Sequence, residues 1–276
     1  MIDIKGQYFI KDNHKFRTDQ VEVLASDAIL IYEVLRVIGS VCLFTESHYN
    51  RLKRSAQLTG VQLDVTFLQF EDNIAQLIQA NNIREGNIKV LVQVGRGKQA
   101  AFYYLIPHNY PTTDDYKNGV KAGLMELERS MPKAKIVQQK LREETNRFIQ
   151  KEKIYDAILV DSEGHVTEGS RTNIFFVKGD TFYTAPSEHI LSGITRQKVL
   201  ECLAELKYNR FEKPVSYLSI SDYDAAFFTG TSPRVLPIYA IGSQKYNVNH
   251  DPMRKLIDAY NKLVESYLAK AQAKKM

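Results

Sequence analysis

The sequence is poor in cysteine: its 276 residues include only Cys42 and Cys202, each among apolar neighbours. Two cysteines cannot form a disulfide framework and are typical of buried free thiols in a reducing compartment. A long hydrophobic run is also missing, because Glu33 and Arg36 interrupt the most apolar stretch, residues 28–44. No basic segment with a small-residue cleavage site precedes that stretch. These absences predict a cytoplasmic protein without a membrane span.

Positive charge is in small excess only. Lys and Arg together number 37 and Asp and Glu 32, which leaves a formal net charge of +5. Over this length the excess is too mild to indicate a nucleic-acid partner. With 44% hydrophobic and 25% charged residues, the composition is that of an ordinary globular protein. The length favours two domains, although one large domain is possible.

Three common functional motifs are absent. The six histidines form no paired helical motif, so the sequence predicts no metal site. Gly95 and Gly97 match the first two glycines of the dinucleotide-binding motif G-x-G-x-x-G, but Ala100 stands where the third glycine would be. The segment is better interpreted as a hairpin turn. A nucleophile elbow needs G-x-S-x-G, which residues 169–171 do not supply.

Hydrophobic spacing predicts a mixture of strands and helices in two parts. The predicted strands are 7–10, 30–37, 41–44, 87–94, 101–106, 156–161, one after the turn 162–164 that ends near Thr167, 173–178, 181–183 and 225–228. The predicted helices are 47–58, 72–80, 138–150, 194–206 and 252–271. Prolines and polar residues favour a linker at 109–116. We therefore expect a smaller N-terminal domain over 1–108 and a larger C-terminal domain over 117–276.

Two loops rich in small residues lie at the ends of predicted elements. Ser192–Thr195 opens a helix, so its amides and hydroxyls would point at an anion along the helix dipole. Thr229–Ser232 follows the predicted strand 225–228 in the same way. Plain helix caps and turns produce both patterns too. Arg51, on a helix face with His48, is a third candidate for anion binding, with a solvated surface charge as its alternative.

One acidic and two basic positions are candidates for catalysis. Glu168 ends a predicted strand and is followed at once by Gly169, so its carboxylate can point into a cleft. Lys133 and Lys135 lie in the mixed segment 131–137. Either lysine taken alone is typical of surface charge.

Several motifs occur in one order and together resemble a single family. They are Tyr32-Glu33-x-x-Arg36, His48-x-x-Arg51-Leu52, Lys135 placed 33 positions before Glu168-Gly169-x-x-x-Asn173, Leu191-x-Gly193-Ile194-Thr195-Arg196, and Gly230-Thr231. This set resembles the class IV aminotransferases, which include branched-chain aminotransferases, D-amino-acid aminotransferases and aminodeoxychorismate lyases. The resemblance covers most of the chain, from about Leu30 to Ile238.

The resemblance implies a fold, a cofactor and an assembly. The fold is the α/β (α+β), two-domain fold type IV of pyridoxal-phosphate enzymes, with the cofactor between the domains and a homodimer whose partner completes the substrate pocket. Lys135, placed in the C-terminal domain, would form the Schiff base with pyridoxal 5′-phosphate, and Glu168 would pair with its pyridine nitrogen. The remaining cofactor-binding positions that the resemblance implies are Arg51, the amides of Ile194 and Thr195, and Thr231 at the phosphate, Gly193 in the same loop, and Leu191 against the ring.

The substrate positions depart from the patterns of the family. D-amino-acid aminotransferases carry an Arg-x-His carboxylate trap where this chain has Ala101 and Tyr103. Tyr32, Arg36 and Arg96 are our candidates for the substrate carboxylate, with structural ion pairs and a hairpin arginine as the alternative. The resemblance implies an aminotransferase that moves an amino group between a small amino acid and a 2-oxo acid by a ping-pong mechanism. The alternatives are an aminodeoxychorismate lyase, which releases pyruvate and 4-aminobenzoate, and an inactive binding protein on the same fold.

Overall fold

The computed structural model describes residues 4–21, 28–95 and 98–273. The chain divides into two compact units. The N-terminal unit comprises the described residues up to Asn109, the segment Ala134–Val137 and the described residues from Val264 onward. The second unit comprises Tyr110–Lys133 and Gln138–Leu263. No helix within the described residues is long and apolar enough to cross a membrane.

Within the described residues, the N-terminal unit contains an antiparallel sheet of six strands, two complete α-helices, a short 3₁₀ helix at Thr18–Gln20 and the last turns of a helix that begins in the second unit. Its elements in chain order are β1 (Lys5–Lys11), β2 (His14–Arg17), β3 (Ile29–Ile38), β4 (Val41–Cys42), α1 (Thr45–Leu58), α2 (Phe67–Ala80), β5 (Glu85–Gly95) and β6 (Lys98–Ile106). The strand order is β2-β1-β6-β5-β3-β4. Helix α2 begins with a capping box between Thr66 and Gln69, which satisfies two amides of its first turn.

The two faces of β3 have different surroundings, because side chains alternate along a strand. Ile31 and Leu35 are fully buried in a core that also contains residues of α1 and α2. Glu33 lies on this same face. Tyr32 and Arg36 lie on the opposite face of the sheet. The odd-numbered positions of β3 therefore face the helices, and the even-numbered ones do not.

The second unit is built on a larger mixed sheet. Its elements are α3 (Thr113–Asn118), β7 (Val120–Glu126), α4 (Gln139–Glu152), β8 (Asp156–Val160), β9 (His165–Gly169), β10 (Asn173–Lys178), β11 (Thr181–Thr184), α5 (Ile194–Glu205), β12 (Asn209–Glu212), β13 (Val215–Ser216), β14 (Ala225–Gly230), β15 (Arg234–Ile241) and β16 (Gln244–Lys245); α6 (Asp251–Ala273) begins here. The strand order is β12-β11-β10-β14-β15-β7-β8-β9-β13, and β16 pairs with β15. Its core contains Ile158, Ile174 and Phe228, which are fully or almost fully buried.

The mixed α/β fold class predicted from the sequence is confirmed, and three local features differ from expectation. The predicted strand 41–44 ends at Cys42, and Phe44, with a left-handed φ of 52°, is the N-cap residue of α1. Part of the predicted linker 109–116 is helical, and a capping box between Thr112 and Asp115 starts that helix. Strands β7 and β15, which lack a clear period in the sequence, pair in parallel at the centre of the sheet.

The unit boundaries also depart from the predicted division. We expected residues 117–276 to form one domain, but Ala134–Val137 groups with the N-terminal unit. This segment lies alongside β3 and is hydrogen-bonded to it. Tyr32 N donates to Lys135 O at 3.0 Å, and Val137 N donates to Leu30 O at 2.9 Å. Backbone hydrogen bonds to β3 therefore place Lys135 in the N-terminal unit and not in the C-terminal one.

Candidate active site

Helix α1 presents three polar side chains on one face towards β3. His48, Arg51 and Ser55 are spaced by three and four residues, which places them side by side on a helix. Glu33 on β3 meets two of them. Its carboxylate contacts His48 Nδ1 at 2.7 Å and receives two hydrogen bonds of 2.7 Å from Arg51, one from Nε and one from Nη2. Ser55 Oγ accepts from Lys135 N at 3.1 Å.

The charges of this cluster follow from its burial. Burial by itself raises the pKa of Glu33. The Arg51 guanidinium and the His48 ring together lower that pKa by more than burial raises it, so the pKa is about 2. Burial lowers the pKa of His48, and the neighbouring Glu33 opposes that shift. At neutral pH the cluster therefore contains an ionised Glu33, a charged Arg51 and a neutral His48 whose Nδ1 donates to the carboxylate.

Lys135 and Lys133 have different environments. Lys133 is exposed, whereas Lys135 is half-buried and its backbone is bonded to β3 and to α1. The Nζ of Lys135 lies 4.6 Å from the centre of the Tyr32 ring. Of these two lysines, only Lys135 is therefore held beside another candidate residue, Tyr32.

The other substrate candidates have separate outcomes. Arg36 is buried and lies opposite Asn87 of β5, on the same sheet face as Tyr32. Arg96 lies outside the described residues. Lys89, which no sequence motif indicated, brings a second ammonium to 4.9 Å from the Tyr32 ring centre.

Glu168 lies near the end of β9 and is 3% exposed. Arg129 Nε donates to Glu168 Oε1 at 2.8 Å, and Arg129 Nη2 donates to Ser170 O at 3.3 Å. The amide of Leu191 also donates to Glu168 Oε1, at 3.4 Å. A buried carboxylate is thus held from two sides by groups distant in sequence.

The turn after Glu168 is organised by Asp156, the first residue of β8. Its carboxylate accepts hydrogen bonds from Ser170 Oγ at 2.6 Å, Thr172 Oγ1 at 2.8 Å and Arg171 N at 3.3 Å. A Cβ at Gly169 would overlap Thr172 Oγ1 and Asp156 Oδ2, so only glycine fits there. Close approach of these groups therefore requires a glycine directly after Glu168.

The loop before α5 has the geometry of an anion site. Gly193 is the N-cap residue of α5, and no side chain caps the helix. The amides of its first turn, which include those of Ile194 and Thr195, therefore donate to no capping side chain. Asn173 Nδ2 donates to Leu191 O at 2.9 Å and holds the loop against β10. Leu191 itself is buried.

The second small-residue loop joins β14 to β15. Thr231 is half-buried in this loop, and Gly230 pairs with Arg234 at the strand ends. Thr229, the preceding strand residue, is buried, and its Oγ1 has no hydrogen-bond partner among the described residues. Both predicted anion loops therefore lie in the second unit, together with Glu168.

A sequence profile of the family described as amino-transferase class IV matches residues 30–241. The chain belongs to this family. The prediction made from the motifs is confirmed, and the enzyme is a class IV aminotransferase of a family that depends on pyridoxal phosphate. Among the described residues, no group of three or more His, Cys, Asp or Glu side chains could hold a metal ion.

Related proteins agree with this assignment. A D-alanine aminotransferase from Bacillus licheniformis is 28% identical over 78% of this chain and 79% of its own length. The structure of a branched-chain aminotransferase from Thermoproteus uzoniensis with norvaline has a TM-score of 0.85 at 22% identity, covering 96% of this chain and 98% of that one. A branched-chain amino acid aminotransferase from Thermobaculum terrenum in its PLP form has a TM-score of 0.82 at 21% identity, covering 95% of each chain. These structures share the fold type IV architecture.

The residues of the aminotransferase fit a phosphorylated pyridine cofactor. In the N-terminal unit, the half-buried Lys135 offers an amine for such a molecule. In the second unit, the buried carboxylate of Glu168 suits a protonated pyridine nitrogen, and the helix amides without a side-chain cap suit a phosphate. The buried Oγ1 of Thr229, without a partner among the described residues, is a further polar group next to the Gly230-Thr231 loop.

Proposed function

We propose that this aminotransferase moves an amino group between a small amino acid and a 2-oxo acid by a ping-pong reaction, with pyridoxal 5′-phosphate attached to Lys135. The position of Lys135 carries the proposal. It is half-buried, its backbone amide is fixed by Ser55, and its Nζ lies 4.6 Å from the Tyr32 ring centre. The exposed Lys133 has no comparable setting.

Lys135 has two tasks in this proposal. Its amine is the nucleophile that holds the cofactor, and once released it takes the proton from the α-carbon of the substrate. Bound cofactor supplies an electron sink for the pair of electrons left on that carbon. Anchoring of the Lys135 backbone to β3 and α1 limits the reach of Nζ to one region, which favours a defined proton transfer.

Glu168 is proposed to hold a proton on the pyridine nitrogen. The ion pair with Arg129 and the amide of Leu191 fix the position of this carboxylate, and burial excludes water that would compete for it. Leu191 is proposed to pack on the cofactor ring. Arg129 is thus part of the machinery although no motif indicated it.

The phosphate is proposed to be bound by Arg51, the amides of Ile194 and Thr195, and Thr231, with Gly193 allowing the loop its close approach. Helix amides and a guanidinium are donors well suited to a phosphate dianion. Because the phosphate does not react, its binding energy serves to orient the ring.

The substrate carboxylate is proposed to bind Tyr32, Arg36 and Arg96. Arginine suits a planar carboxylate, and Tyr32 and Arg36 share one sheet face in the structure. We further propose a homodimer whose partner completes the pocket, to be checked by analytical ultracentrifugation. Free, buried Cys42 and Cys202 support a cytoplasmic location.

A half-reaction tests the proposed function. Individual L- and D-amino acids are added in stoichiometric amount to the holoenzyme without acceptor, and we expect at least one to release its 2-oxo acid and leave the cofactor in the pyridoxamine form. Added 2-oxoglutarate or pyruvate should reverse the change. The Lys135→Ala variant should lose this reaction, and Lys133→Ala, its matched control, should keep it.

Other outcomes would favour the alternatives. If no amino acid reacts while aminodeoxychorismate yields pyruvate and 4-aminobenzoate, the protein is a lyase. If cofactor binds and neither reaction occurs, it is a binding protein. Loss of the reaction in Lys133→Ala with retention in Lys135→Ala would overturn the assignment of the lysine.

A further inference from the structure

Glu33 is the most deeply buried acidic residue near the candidate site. Its carboxylate is 0% exposed, and it lies on β3 opposite the start of α1. A carboxylate in such a place costs free energy of desolvation unless charged partners and hydrogen bonds offset that cost. Arg51 and His48 supply those partners.

The contact between Glu33 and Arg51 has a specific geometry. Nε and Nη2 of Arg51 each donate to a different oxygen of Glu33, and both distances are 2.7 Å. This fork is the bidentate arrangement that fixes a guanidinium in its plane. Because the guanidinium is planar and rigid, fixing two of its five N–H groups also sets the directions of the other three.

His48 fixes the carboxylate in turn. Its ring is 3% exposed and contacts Glu33 Oε2 at 2.7 Å, so the plane of the carboxylate is held from α1 at a second point. His48 and Arg51 are three residues apart on that helix, and both contacts converge on one carboxylate. The orientation of Arg51 is therefore determined by β3 and α1 together and not by its own rotamers.

Two further roles for Glu33 would also account for the ion pair. One is neutralisation, in which Glu33 only reduces the positive charge of Arg51, and this would weaken the attraction for a phosphate. The other is simple stabilisation of the packing between β3 and α1. The forked geometry favours orientation, because neutralisation requires no particular direction of the N–H groups.

We propose that Glu33 is a positioning residue that aims the guanidinium of Arg51 at the phosphate of the cofactor. The inference rests on the proposed function, in which Arg51 binds that phosphate. The long side chain of arginine loses much rotamer freedom when it binds a ligand, and a partner that orders it in advance removes that cost from the binding step.

Two variants of Glu33 separate orientation from charge. Glu33→Gln keeps the length of the side chain and removes its charge, whereas Glu33→Asp keeps the charge and shortens the reach by one methylene. If Glu33 orients Arg51, both variants break the fork and both bind the phosphate less well. Glu46→Gln, an exposed glutamate in the first turn of α1, is the matched control.

The readout is the affinity of the apoprotein for pyridoxal 5′-phosphate and for pyridoxal, measured by isothermal titration. Pyridoxal carries the same ring without the phosphate, although in water much of its aldehyde is tied up as an internal hemiacetal. That difference cancels when each variant is compared with wild type, so the change in the ratio of the two Kd values isolates the phosphate contact. We expect Kd for the phosphorylated form to rise about tenfold or more in both variants, the size of effect known for orienting partners of metal ligands. Kd for pyridoxal should change less than about twofold.

A second set of variants tests whether Glu33 acts through Arg51. In an Arg51→Ala background, Glu33→Gln should add no further loss of phosphate affinity, because there is no guanidinium left to orient. This double variant also removes both buried charges, so it remains informative if Glu33→Gln alone does not fold. Circular dichroism of each variant checks that the fold is retained.

Several results would overturn the inference. Equal weakening of both ligands would show a merely structural role, and tighter binding in Glu33→Gln with no change in Glu33→Asp would show neutralisation. Unchanged affinity in both variants would show no role at all. If wild-type protein binds neither ligand, it is the proposed function that fails.

Discussion

Asp156 is a buried carboxylate, 2% exposed, whose replacement tests how the turn after Glu168 is held. It accepts hydrogen bonds from the hydroxyls of Ser170 and Thr172 at 2.6 and 2.8 Å. In the variant Asp156→Asn the shape is preserved, but the acceptor is neutral and offers one oxygen in place of two. The perturbation is therefore confined to the hydrogen bonds that this one carboxylate accepts.

The magnitude follows from those contacts. A hydrogen bond to a charged group contributes about 1.5–3 kcal/mol and one between neutral groups about 0.5–1.5 kcal/mol, so the hydroxyl bond that keeps an oxygen acceptor weakens by roughly 1 kcal/mol. The other hydroxyl loses its acceptor and can only be partnered by the new amide group as donor, which costs roughly 1 kcal/mol or more. We expect Asp156→Asn to lower the free energy of unfolding by about 2 kcal/mol. For a chain of this size that corresponds to a decrease in Tm of about 4–8 °C.

The assay is thermal and urea unfolding of the apoprotein, with Asp180→Asn as the matched control. Asp180 is exposed and accepts a single hydroxyl bond of 3.3 Å from Thr181, so its replacement should change Tm by less than about 1 °C. A double-mutant cycle with Ser170→Ala should show coupling of about 1 kcal/mol or more with Asp156→Asn. A Tm within about 1 °C of wild type, or strict additivity in the cycle, would refute the reasoning.

Two further predictions concern acid stability and a glycine. The pKa of Glu33 is about 2 in the folded protein against an ordinary 4.5, so its stabilisation is complete above pH 4.5 and is lost as the pH falls towards 2. Urea titrations should show wild type losing about 3 kcal/mol over that range relative to Glu33→Gln, and parallel curves would contradict this. A Cβ at Gly193 would overlap Asn173 Oδ1, so Gly193→Ala should displace the loop before α5 and weaken binding of pyridoxal 5′-phosphate, whereas Gly86→Ala, with contacts of 3.5 Å or more, should not. Equal affinities in a binding titration would show that the loop tolerates the change.

Patterns of short range were sufficient to predict much of this protein. Helices α1, α5 and α6 follow from apolar spacing, and their observed bounds differ from the predicted ones by a few residues at most. Side-chain alternation in β3 also separates the face with Glu33 from the face with Tyr32. The ordered motifs identified the family, because several of them in one order are specific although no single one would be. Spacing to Glu168 selected Lys135 over Lys133, and that choice stays a prediction.

Contacts between residues distant in sequence were decided only by the tertiary structure. Arg129 lies in an irregular segment with no motif, and its partner Glu168 is 39 residues away. In the sequence, Asp156 is indistinguishable from an ordinary carboxylate at a strand end. Only the folded chain places Ser170 and Thr172 within hydrogen-bond distance of it. A polar residue in a sequence does not reveal whether its partner is water or another side chain.

Strand order set these partners. Strands β7 and β15 have weak local signals and take their place from their neighbours, and parallel pairing of β7 with β8 fixes where Asp156 begins its strand. In the N-terminal unit, the bonds between β3 and residues 134–137 decide that Lys135 lies beside Tyr32. The sequence determined which residue types stand at the ends of the elements. The pairing of distant strands, which depends on packing of the whole core, determined which of those residues meet.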